Sequence, residues 1–258
     1  MPHKVAGNIH YLEGSGGNIG VSVGPDGVLI VDDQYLPLAE KINATLGSLD
    51  SGDLKFVLNT HHHGDHTGGN PYFGKMATII AHKNVRTRVS TGDNAIDPVG
   101  WPVITYDRSA SVYFNGEEIE LIHYSRGHTD GDAIVYFKGS NVIHMGDTFF
   151  NGRFPYVDLG SGGSVSGLIN IVTNVINTVA PDVKIIPGHG AVGSKSDLQA
   201  YLGMLLETTD AVRTQMAAGQ SLADIQAAGL PDKYSEQGSG FVNQDRWIEI
   251  IYNSYSAE

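Results

Sequence analysis

Alternating hydrophobic and polar positions predict a β-hairpin near the start of the chain. Residues 18–33, NIGVSVGPDGVLIVDD, alternate and then run apolar around a Pro-Asp-Gly turn, and they end in two aspartates. A gapless shift aligns this stretch with residues 132–147, DAIVYFKGSNVIHMGD, in which strand, turn and strand again end in an acid. The pattern therefore predicts an internal repeat of half a domain.

The same order of elements follows each hairpin. Residues 36–49 and 164–179 have the periodicity of helices, and residues 55–60 and 183–188 then have the apolar pattern of strands. Repetition of hairpin, helix and strand predicts an α/β fold in which two packed sheets are flanked by helices.

Two further helices are predicted towards the end of the chain. Residues 194–218 form a long helix that is capped by Ser194 or Ser196. We expect its apolar stripe to lie in the core; the stripe comprises Leu198, Leu202, Leu205 and Leu206. Residues 241–256 form a final amphipathic helix whose inward face carries Trp247, Ile251 and Tyr255.

The domain organisation follows from these elements. With 258 residues, of which 41% are hydrophobic, the chain is long enough to bury a substantial core. We expect a single domain, residues 1–258, with repeat halves at about 8–125 and 126–200 and C-terminal helices at about 194–256.

Charge and composition narrow the partners and the chemistry. The net charge of −12, with only 16 Lys and Arg, disfavours a nucleic-acid polymer as partner. The absence of cysteine leaves histidine and carboxylate as the ligands for any metal. No apolar run approaches the roughly 20 residues that span a bilayer, and residues 1–10 lack the apolar stretch of a signal peptide. We expect a soluble chain, cytoplasmic, or periplasmic if a leader was removed; no pattern specifies an oligomeric state.

The stretch LNTHHHGDHTGGN, residues 58–70, crowds histidines at the end of a predicted strand. His61 and His63 then point to one side, while a turn at Gly64 redirects Asp65 and His66. So many imidazoles packed together would repel one another when charged, which favours a bound cation.

Further ligand candidates follow other strands, and two of them are histidines beside glycine. Together with the cluster they exceed the three or four protein ligands that one ion uses, so the pattern predicts a binuclear site with Asp147 suited to bridging. The candidates are His61, His63, Asp65, His66, His128, Asp147 and His189. The remaining histidines have no motif support and are expected on the surface or satisfied in the core: His3, His10, His62, His82, His123 and His144.

The order H-x-H-x-D-H, an isolated His, an Asp after a strand and a late Gly-His resembles the metallo-β-lactamase superfamily over roughly residues 8–200. The resemblance implies an αββα sandwich of two similar halves that carries two Zn²⁺ ions, with Mn, Fe or Co also compatible with such ligands. It implies that the first zinc is held by His61, His63 and His128. The second zinc is then held by Asp65, His66 and His189, with Asp147 bridging the two ions or binding the second.

An acid behind the ligands is also implied. Metal-bound imidazoles donate their other N–H to an acceptor, and this acceptor follows the first long strand. The gapless repeat pairs Asp33 with Asp147, whereas the strand-then-acid order of the family favours Asp32; both stay open.

The activity that the resemblance implies is hydrolysis of a small-molecule amide or ester by a hydroxide that bridges two zinc ions. β-Lactams are included as main or side substrates, and Asp65 would orient the nucleophile or relay its proton. Asp147 stands where the well-known zinc β-lactamases carry Cys or lack an acid. Asp there is more similar to lactonases, glyoxalase-II-type thioesterases and phosphodiesterases, which are the alternative activities. A non-catalytic domain of this fold would be expected to lose ligands, and none is missing.

The segment after Asp147 contains the candidate substrate contacts. Arg153 is the only basic residue between Asp147 and Lys184, and it either binds a substrate carboxylate or is an ordinary surface arginine. Phe150 is predicted to line the substrate mouth; the alternative for these crowded aromatics is core packing, and its neighbours are Phe149, Phe154 and Tyr156. The glycine-rich residues 12–18 are either a mobile flap or a turn.

Overall fold

The computed structural model describes residues 1–49, 52–93 and 95–256. Two β-sheets pack face to face and helices cover their outer faces, so the predicted α/β class and the αββα sandwich are confirmed. Within the ranges described, no helix is long and apolar enough to cross a membrane.

The first sheet joins an antiparallel part to a parallel part. In spatial order its strands are β1 (His3–Ala6), β2 (Ile9–Leu12), β3 (Ile19–Gly24), β4 (Gly27–Val31), β5 (Leu54–Asn59), β6 (Thr78–His82) and β7 (Ile104–Tyr106). Neighbours from β1 to β4 pair antiparallel, whereas neighbours from β4 to β7 pair parallel. Parallel strands bring their carboxyl ends to one edge, where ligand-binding loops commonly lie.

The second sheet is mainly antiparallel. In chain order its strands are β8 (Ser109–Phe114), β9 (Glu117–His123), β10 (Ala133–Phe137), β11 (Val142–His144), β12 (Lys184–Ile186) and β13 (Gly193–Ser194), and neighbours in this order pair with one another. The exception to antiparallel pairing is β11 with β12, which run parallel.

The helices occupy the outer layers and the loops. They are α1 (Ala39–Gly47), α2 (Gly64–Thr67), α3 (Asn70–Phe73), α4 (Lys83–Ser90), α5 (Val165–Thr178), α6 (Lys195–Ala217), α7 (Leu222–Ala228) and α8 (Gln244–Ser256). A 3-10 segment, Asp232–Ser239, connects α7 to the approach of α8.

Apolar side chains from both sheets fill the space between them. Leu29 and Leu58 of the first sheet belong to one buried cluster with Ile119 and Val135 of the second sheet. On the outer face of the first sheet, Ile42 of α1 packs in a separate cluster. Burying one such side chain stabilises the fold by about 1.5–3 kcal/mol, so these layers hold the strand ends in fixed relative positions.

The predicted repeat is present at the level of elements. The hairpin of β3 and β4 is followed by α1 and by β5, which pairs parallel with β4. The hairpin of β10 and β11 is followed by α5 and by β12, which pairs parallel with β11. Corresponding strand ends therefore meet at one edge of the sandwich.

Helix α6 agrees with the prediction at its start and differs on one face. Ser194 rather than Ser196 is the N-cap, in a capping box with Asp197. Leu198 and Leu205 are buried, but Leu206 is 49% exposed, so the prediction that the whole leucine stripe lies in the core is wrong at this position. Leu206 follows Leu205 by one residue and is rotated out of the buried face.

Candidate metal centre

Loops that follow strand ends carry the candidate ligands. β5 ends two residues before His61, and α2 begins at Gly64 with His63 as its N-cap, so Asp65 and His66 lie in its first turn. β11 and β12 end shortly before Asp147 and His189 in the second half. The start of α2 at Gly64 therefore redirects Asp65 and His66 away from His61 and His63.

The candidate ligands form two groups. The first group contains His61, His63 and His128, together with Asp147, and one ligand atom from each lies within 4.8 Å of the others. The second group contains Asp65, His66 and His189 and satisfies the same distance. The structure thus brings together all seven predicted ligands in the division that the sequence motif implies.

Asp147 lies between the two groups. Its Oδ2 atom is 3.6 Å from His128 Nε2 and 3.9 Å from His61 Nε2, both of the first group. Its Oδ1 atom is 3.1 Å from His66 Nε2 and 3.4 Å from His189 Nε2, both of the second group. One carboxylate therefore presents one oxygen to each group.

Buried polar atoms at this junction fit metal ions. His61 Nε2, His66 Nε2 and Asp147 Oδ1 are buried, and none makes a hydrogen bond of ordinary geometry among the described residues, although the last two face each other at 3.1 Å. Leaving such atoms without partners costs free energy, and here they converge on common points. Imidazole nitrogen and carboxylate oxygen are donors that suit Zn, and also Mn, Fe or Co.

The side chain of Asp32, and not that of Asp33, contacts a candidate ligand. Asp32 Oδ2 accepts a hydrogen bond from His66 Nδ1 at 2.7 Å, which directs Nε2 of that ring towards Asp147. The same carboxylate accepts the backbone N–H and the hydroxyl of Thr60, at 2.8 and 2.7 Å. Asp33 turns away and accepts the backbone N–H of Gly69 instead. Of the two acids that the sequence left open, Asp32 is therefore the one whose carboxylate contacts a candidate ligand.

A second carboxylate behind the ligands, Asp158, was missed by the sequence analysis. His63 Nε2 lies 3.0 Å from Asp158 Oδ2, while His63 Nδ1 faces His128 Nε2 at 2.8 Å. His128 Nδ1 donates a hydrogen bond of 2.7 Å to the carbonyl oxygen of Tyr156. The signal available in the sequence was that Asp158 is the only acid between Asp147 and Asp182.

The pKa values of the histidines differ between the groups when no metal is bound. Burial, with nearby His66 and His128, holds the pKa of His61 well below its usual value, and burial lowers the pKa of His128 to about 4. In the second group burial also opposes the charged form, but Asp147 and other carboxylates outweigh it. The pKa of His66 is therefore raised well above its usual value, and that of His189 is raised to about 9.

The glycine-rich segment, residues 12–18, bonds to several parts of the second ligand group. Gly17 donates its N–H to Asp65 O, and its carbonyl accepts from Gln34 Nε2. A Cβ at Gly17 would overlap the imidazole of His66, so only glycine allows this approach. Asn18 donates its side-chain N–H groups to the backbone on both sides of the segment that carries His189. The segment therefore links the loop that carries Asp65 and His66 to the loop that carries His189.

A cavity of about 540 Å³ opens above the centre. Asp65, Asp147, His63 and His189 lie at its floor. Its wall residues are Ser15, Tyr35, Phe150, Arg153, Phe154, Tyr156, Phe241 and Val242. The wall therefore includes both predicted substrate contacts as well as C-terminal residues that the sequence analysis did not assign to the site.

The crowded aromatics divide between cavity and core. Phe149 is fully buried and packs on Tyr201, which is a core role. Phe150 lines the cavity but is only 7% exposed, because its ring stacks on His189 with centroids 5.2 Å apart. Arg153 lines the cavity and is exposed. Phe150 therefore mainly packs against the imidazole of His189 and exposes little of its own surface to the cavity.

The histidines excluded by the sequence analysis lie outside the two groups. His144 is buried and hydrogen-bonded to Asn18 O at 2.9 Å, and His82 stacks on His123. His62 is half-buried beside His63 and Asp158, whose ligand atoms lie within 4.8 Å of one of its own. This last contact is the exception to a simple division between ligands and other histidines.

Comparison with known proteins places these features in a family. The sequence profile of the metallo-beta-lactamase superfamily matches residues 13–201, close to the range over which the resemblance was predicted. A hydroxyacylglutathione hydrolase of Pelagibacter ubique is 29% identical over 142 residues, 53% of this chain and 52% of that protein. The enzyme of the same name from Rhodospirillum rubrum is 34% identical over 131 residues, 50% of this chain and 46% of that protein. The chain thus spans about half the length of these curated relatives.

Solved structures of similar fold extend the comparison. A double mutant of the sec-alkyl sulfatase PisA1 superposes with a TM-score of 0.76 and 15% identity, covering 98% of this chain and 49% of that chain. The DIM-1 metallo-beta-lactamase superposes with a TM-score of 0.66 and 18% identity, covering 80% and 96%. At such identities the likeness concerns the fold alone, and the predicted fold is confirmed.

Proposed function

The chain belongs to the metallo-beta-lactamase superfamily, and from this premise we propose that it is a metal-dependent hydrolase of small carboxylic esters or thioesters. The observation that carries the proposal is the pair of ligand groups that share Asp147 at the floor of a cavity of about 540 Å³. A volume of this size is typical of sites for small molecules. The net charge of −12 opposes a nucleic-acid polymer as substrate.

Two observations favour ester and thioester chemistry within the family. Position 147 carries a carboxylate, which resembles the lactonase, thioesterase and phosphodiesterase branches more than the well-known zinc β-lactamases. The curated relatives that match half of the chain are named hydroxyacylglutathione hydrolase. Hydrolysis of β-lactams stays a prediction, and the experiment below includes it.

The proposed roles follow the geometry. Two Zn²⁺ ions, or Mn, Fe or Co, would when bound polarise the substrate carbonyl and lower the pKa of water to about 7. His61, His63 and His128 would hold one ion, Asp65, His66 and His189 the other, and Asp147 both. Asp32 would fix the ring of His66 through the 2.7 Å hydrogen bond to Nδ1.

Asp65 is the proposed catalytic carboxylate. Its Oδ2 atom lies 3.3 Å from His189 Nε2, and its side chain also reaches the cavity. Burial would raise its pKa, but His66 and the hydrogen bond to His189 outweigh burial and hold the pKa of Asp65 below its usual value. It therefore stays ionised at neutral pH, where it can accept a hydrogen bond from the attacking water and take up its proton.

The C-terminal helices support the proposal that residues 1–258 act as one domain. Trp247 of α8 is fully buried and donates from Nε1 to the Thr208 hydroxyl of α6 at 3.0 Å. Ser254 of α8 accepts the N–H of Val165 at the start of α5. Since Phe241 and Val242 line the cavity, the site needs these helices in place.

Hydrolysis rates of the zinc-loaded protein test the proposal. We expect kcat/KM of at least about 10⁴ M⁻¹s⁻¹ for an S-acyl thioester or an activated ester, within the ordinary enzyme range. A chromogenic cephalosporin and a chromogenic phosphodiester serve as comparison substrates. His61→Ala should abolish the activity, and His62→Ala is its matched control. Protein that holds two metal ions and hydrolyses none of these esters or thioesters would refute the proposal.

A further inference from the structure

The C-terminal part of the chain builds one wall of the cavity, although it lies beyond the residues that match the family profile. Phe241 and Val242 line the cavity directly. The backbone N–H of Phe154 donates to Gln237 O, and the Phe154 ring stacks on Trp247 with centroids 6.2 Å apart. These contacts attach the C-terminal wall to the loop that follows Asp147.

This wall presents apolar rings beside the centre. The rings of Tyr156 and Phe241 meet edge to face, with centroids 5.9 Å apart. Phe241 is 75% exposed, although burial of its ring would be favourable. An exposed aromatic ring at the rim of an active-site cavity is a surface that an apolar ligand can cover.

Two cations at the same wall lack acidic partners. Neither Arg153 nor Arg246 forms an ion pair in the part of the chain that the structure describes. The Arg246 guanidinium lies over two rings, 5.1 Å from Tyr156 and 4.5 Å from Phe241. Among the described arginines only Arg88 makes an ion pair, a bidentate one with Asp130, so Arg153 and Arg246 are distinguished by their place at the cavity wall. In a chain of net charge −12, arginines left without acids beside a cavity indicate an anionic ligand.

We propose that the cavity selects amphipathic anions: acyl substrates with an apolar body that ends in a carboxylate. The apolar body packs on Phe241 and Tyr156, and Arg153 binds the carboxylate through its planar donor pair. Arg246 holds the two rings through cation–π contacts and adds positive potential. This proposal rests on the proposed hydrolase function, because it names the substrate class of the same site.

A series of activated esters with one leaving group tests the proposal in the metal-loaded protein. The 4-nitrophenyl esters of acetate, hexanoate and adipate differ in acyl length and then in a terminal methyl or carboxylate. We expect kcat/KM to rise about tenfold or more from acetate to hexanoate and again from hexanoate to adipate.

Variants separate the two parts of the proposed recognition. Arg153→Gln should lower the adipate-to-hexanoate ratio about tenfold, and Arg153→Lys should retain part of it. Phe241→Ala should lower the hexanoate-to-acetate ratio several-fold. The matched controls are Arg108→Gln and Tyr113→Ala, which replace an exposed arginine and an exposed tyrosine that line no part of this cavity. If Arg153→Gln leaves the adipate-to-hexanoate ratio unchanged, the proposal is overturned.

Binding without turnover distinguishes this proposal from the proposed function. Calorimetry with 6-phenylhexanoate and 6-phenylhexanamide compares a carboxylate with its neutral amide in the metal-loaded protein. A preference for the carboxylate that Arg153→Gln removes supports the proposed ligand class, even if no ester is hydrolysed. A preference that survives Arg153→Gln means that the carboxylate binds the metal ions alone, and this overturns the proposal while the hydrolase function stands.

Discussion

The two ligand groups differ in how their histidines are balanced by acids. His61 and His128 of the first group approach a carboxylate only at 3.6–3.9 Å, through Asp147 Oδ2. His66 of the second group has Asp32 at 2.7 Å, Asp147 at 3.1 Å and Asp65 at 3.6 Å. The pKa values of His61 and His128 are lowered, and those of His66 and His189 are raised.

Without metal, the carboxylates around His66 and His189 therefore favour a positive charge on those rings, whereas burial disfavours one on His61 and His128. Buried carboxylates are costly unless a proton or a metal ion compensates them. Around His66 and His189 the acids therefore keep protons on the rings until a metal ion replaces them. The imidazoles of His61 and His128 are already neutral and can accept a metal ion directly.

Removal of the shared carboxylate should have the largest effect, because it breaks both groups at once. Asp147→Ala takes away one oxygen from each group and leaves His66 and His189 with less acidic compensation. We expect metal content to fall and kcat/KM to drop by more than the roughly 10- to 100-fold that loss of a ligand's hydrogen-bond partner costs. Elemental analysis and ester hydrolysis measure both quantities. Full metal content with normal activity would show that Asp147 is not shared.

Replacement of Asp32 or Asp158, the acids that contact ligand histidines from behind, should lower the metal affinity of one group and not of the other. Asp32→Asn removes the charge at His66 Nδ1, and Asp158→Asn removes the charge at His63 Nε2. Each should lower the metal affinity of its own group by about 10- to 100-fold. Asp32 also binds Thr60, so its replacement should have the larger effect.

Competition with a zinc-binding dye resolves the two affinities in each of these variants. Asp33→Asn is the matched control for Asp32→Asn, since the Asp33 carboxylate accepts the N–H of Gly69 and only the Asp33 backbone, which the substitution keeps, bonds to His66. If Asp158→Asn lowered the metal affinity of both groups equally, Asp158 would not act on the first group alone.

The supporting acids also mark where sequence reasoning succeeds and where it ends. The convergence of the candidate ligands is predictable because their order and their positions after strands follow a local pattern, as at His61 and His63. The contact of Asp158 with His63 spans 95 residues and depends on how one loop folds over another. Phe241 reaches the cavity only because α8 packs on α5 and α6, which no local pattern reveals.

The fold itself was predictable where a repeat or a period was visible. The hairpins before Asp33 and Asp147 repeat, and β4 and β11 both run parallel to the strand that follows the next helix. The repeat nevertheless paired Asp33 with Asp147, whereas Asp32 makes the contact with His66. Asp32 has a positive φ of 64°, and such a backbone turn changes which of two adjacent side chains faces the site.

A change of pH should alter the metal affinities of the two groups by different amounts. At pH 7 and without metal, His189, with a pKa of about 9, is protonated, as is His66, whereas His61 and His128 are neutral. Metal binding to the second group therefore releases protons. Its apparent affinity should rise about tenfold per pH unit for each displaced proton up to about pH 9, whereas His61 and His128 have no proton to release between pH 6 and 9.

Calorimetry of zinc binding in buffers of different ionisation enthalpy counts the released protons. We expect about two protons from His66 and His189 at pH 7 and almost none from His61 and His128. Asp32→Asn removes one of the acids that raise the pKa of His66, so it should reduce the count. The same proton count at both groups would remove the electrostatic distinction between them.

Replacement of His62 should have the smallest effect. A ligand atom of His62 lies within 4.8 Å of atoms of His63 and Asp158, so the geometry alone would allow a third group. However, His63 Nε2 is already bound to Asp158 at 3.0 Å, and a metal ion there would have to break this hydrogen bond. Burial lowers the pKa of His62 to about 3, so the ring is neutral and contributes no charge to the centre. His62→Ala should therefore leave two metal ions per chain and change their affinity less than about twofold, well under the effect of a ligand's hydrogen-bond partner. Loss of an ion in His62→Ala, measured by elemental analysis beside His61→Ala, would instead mean that His63 turns its Nε2 outward, and the first group would then have to be defined without it.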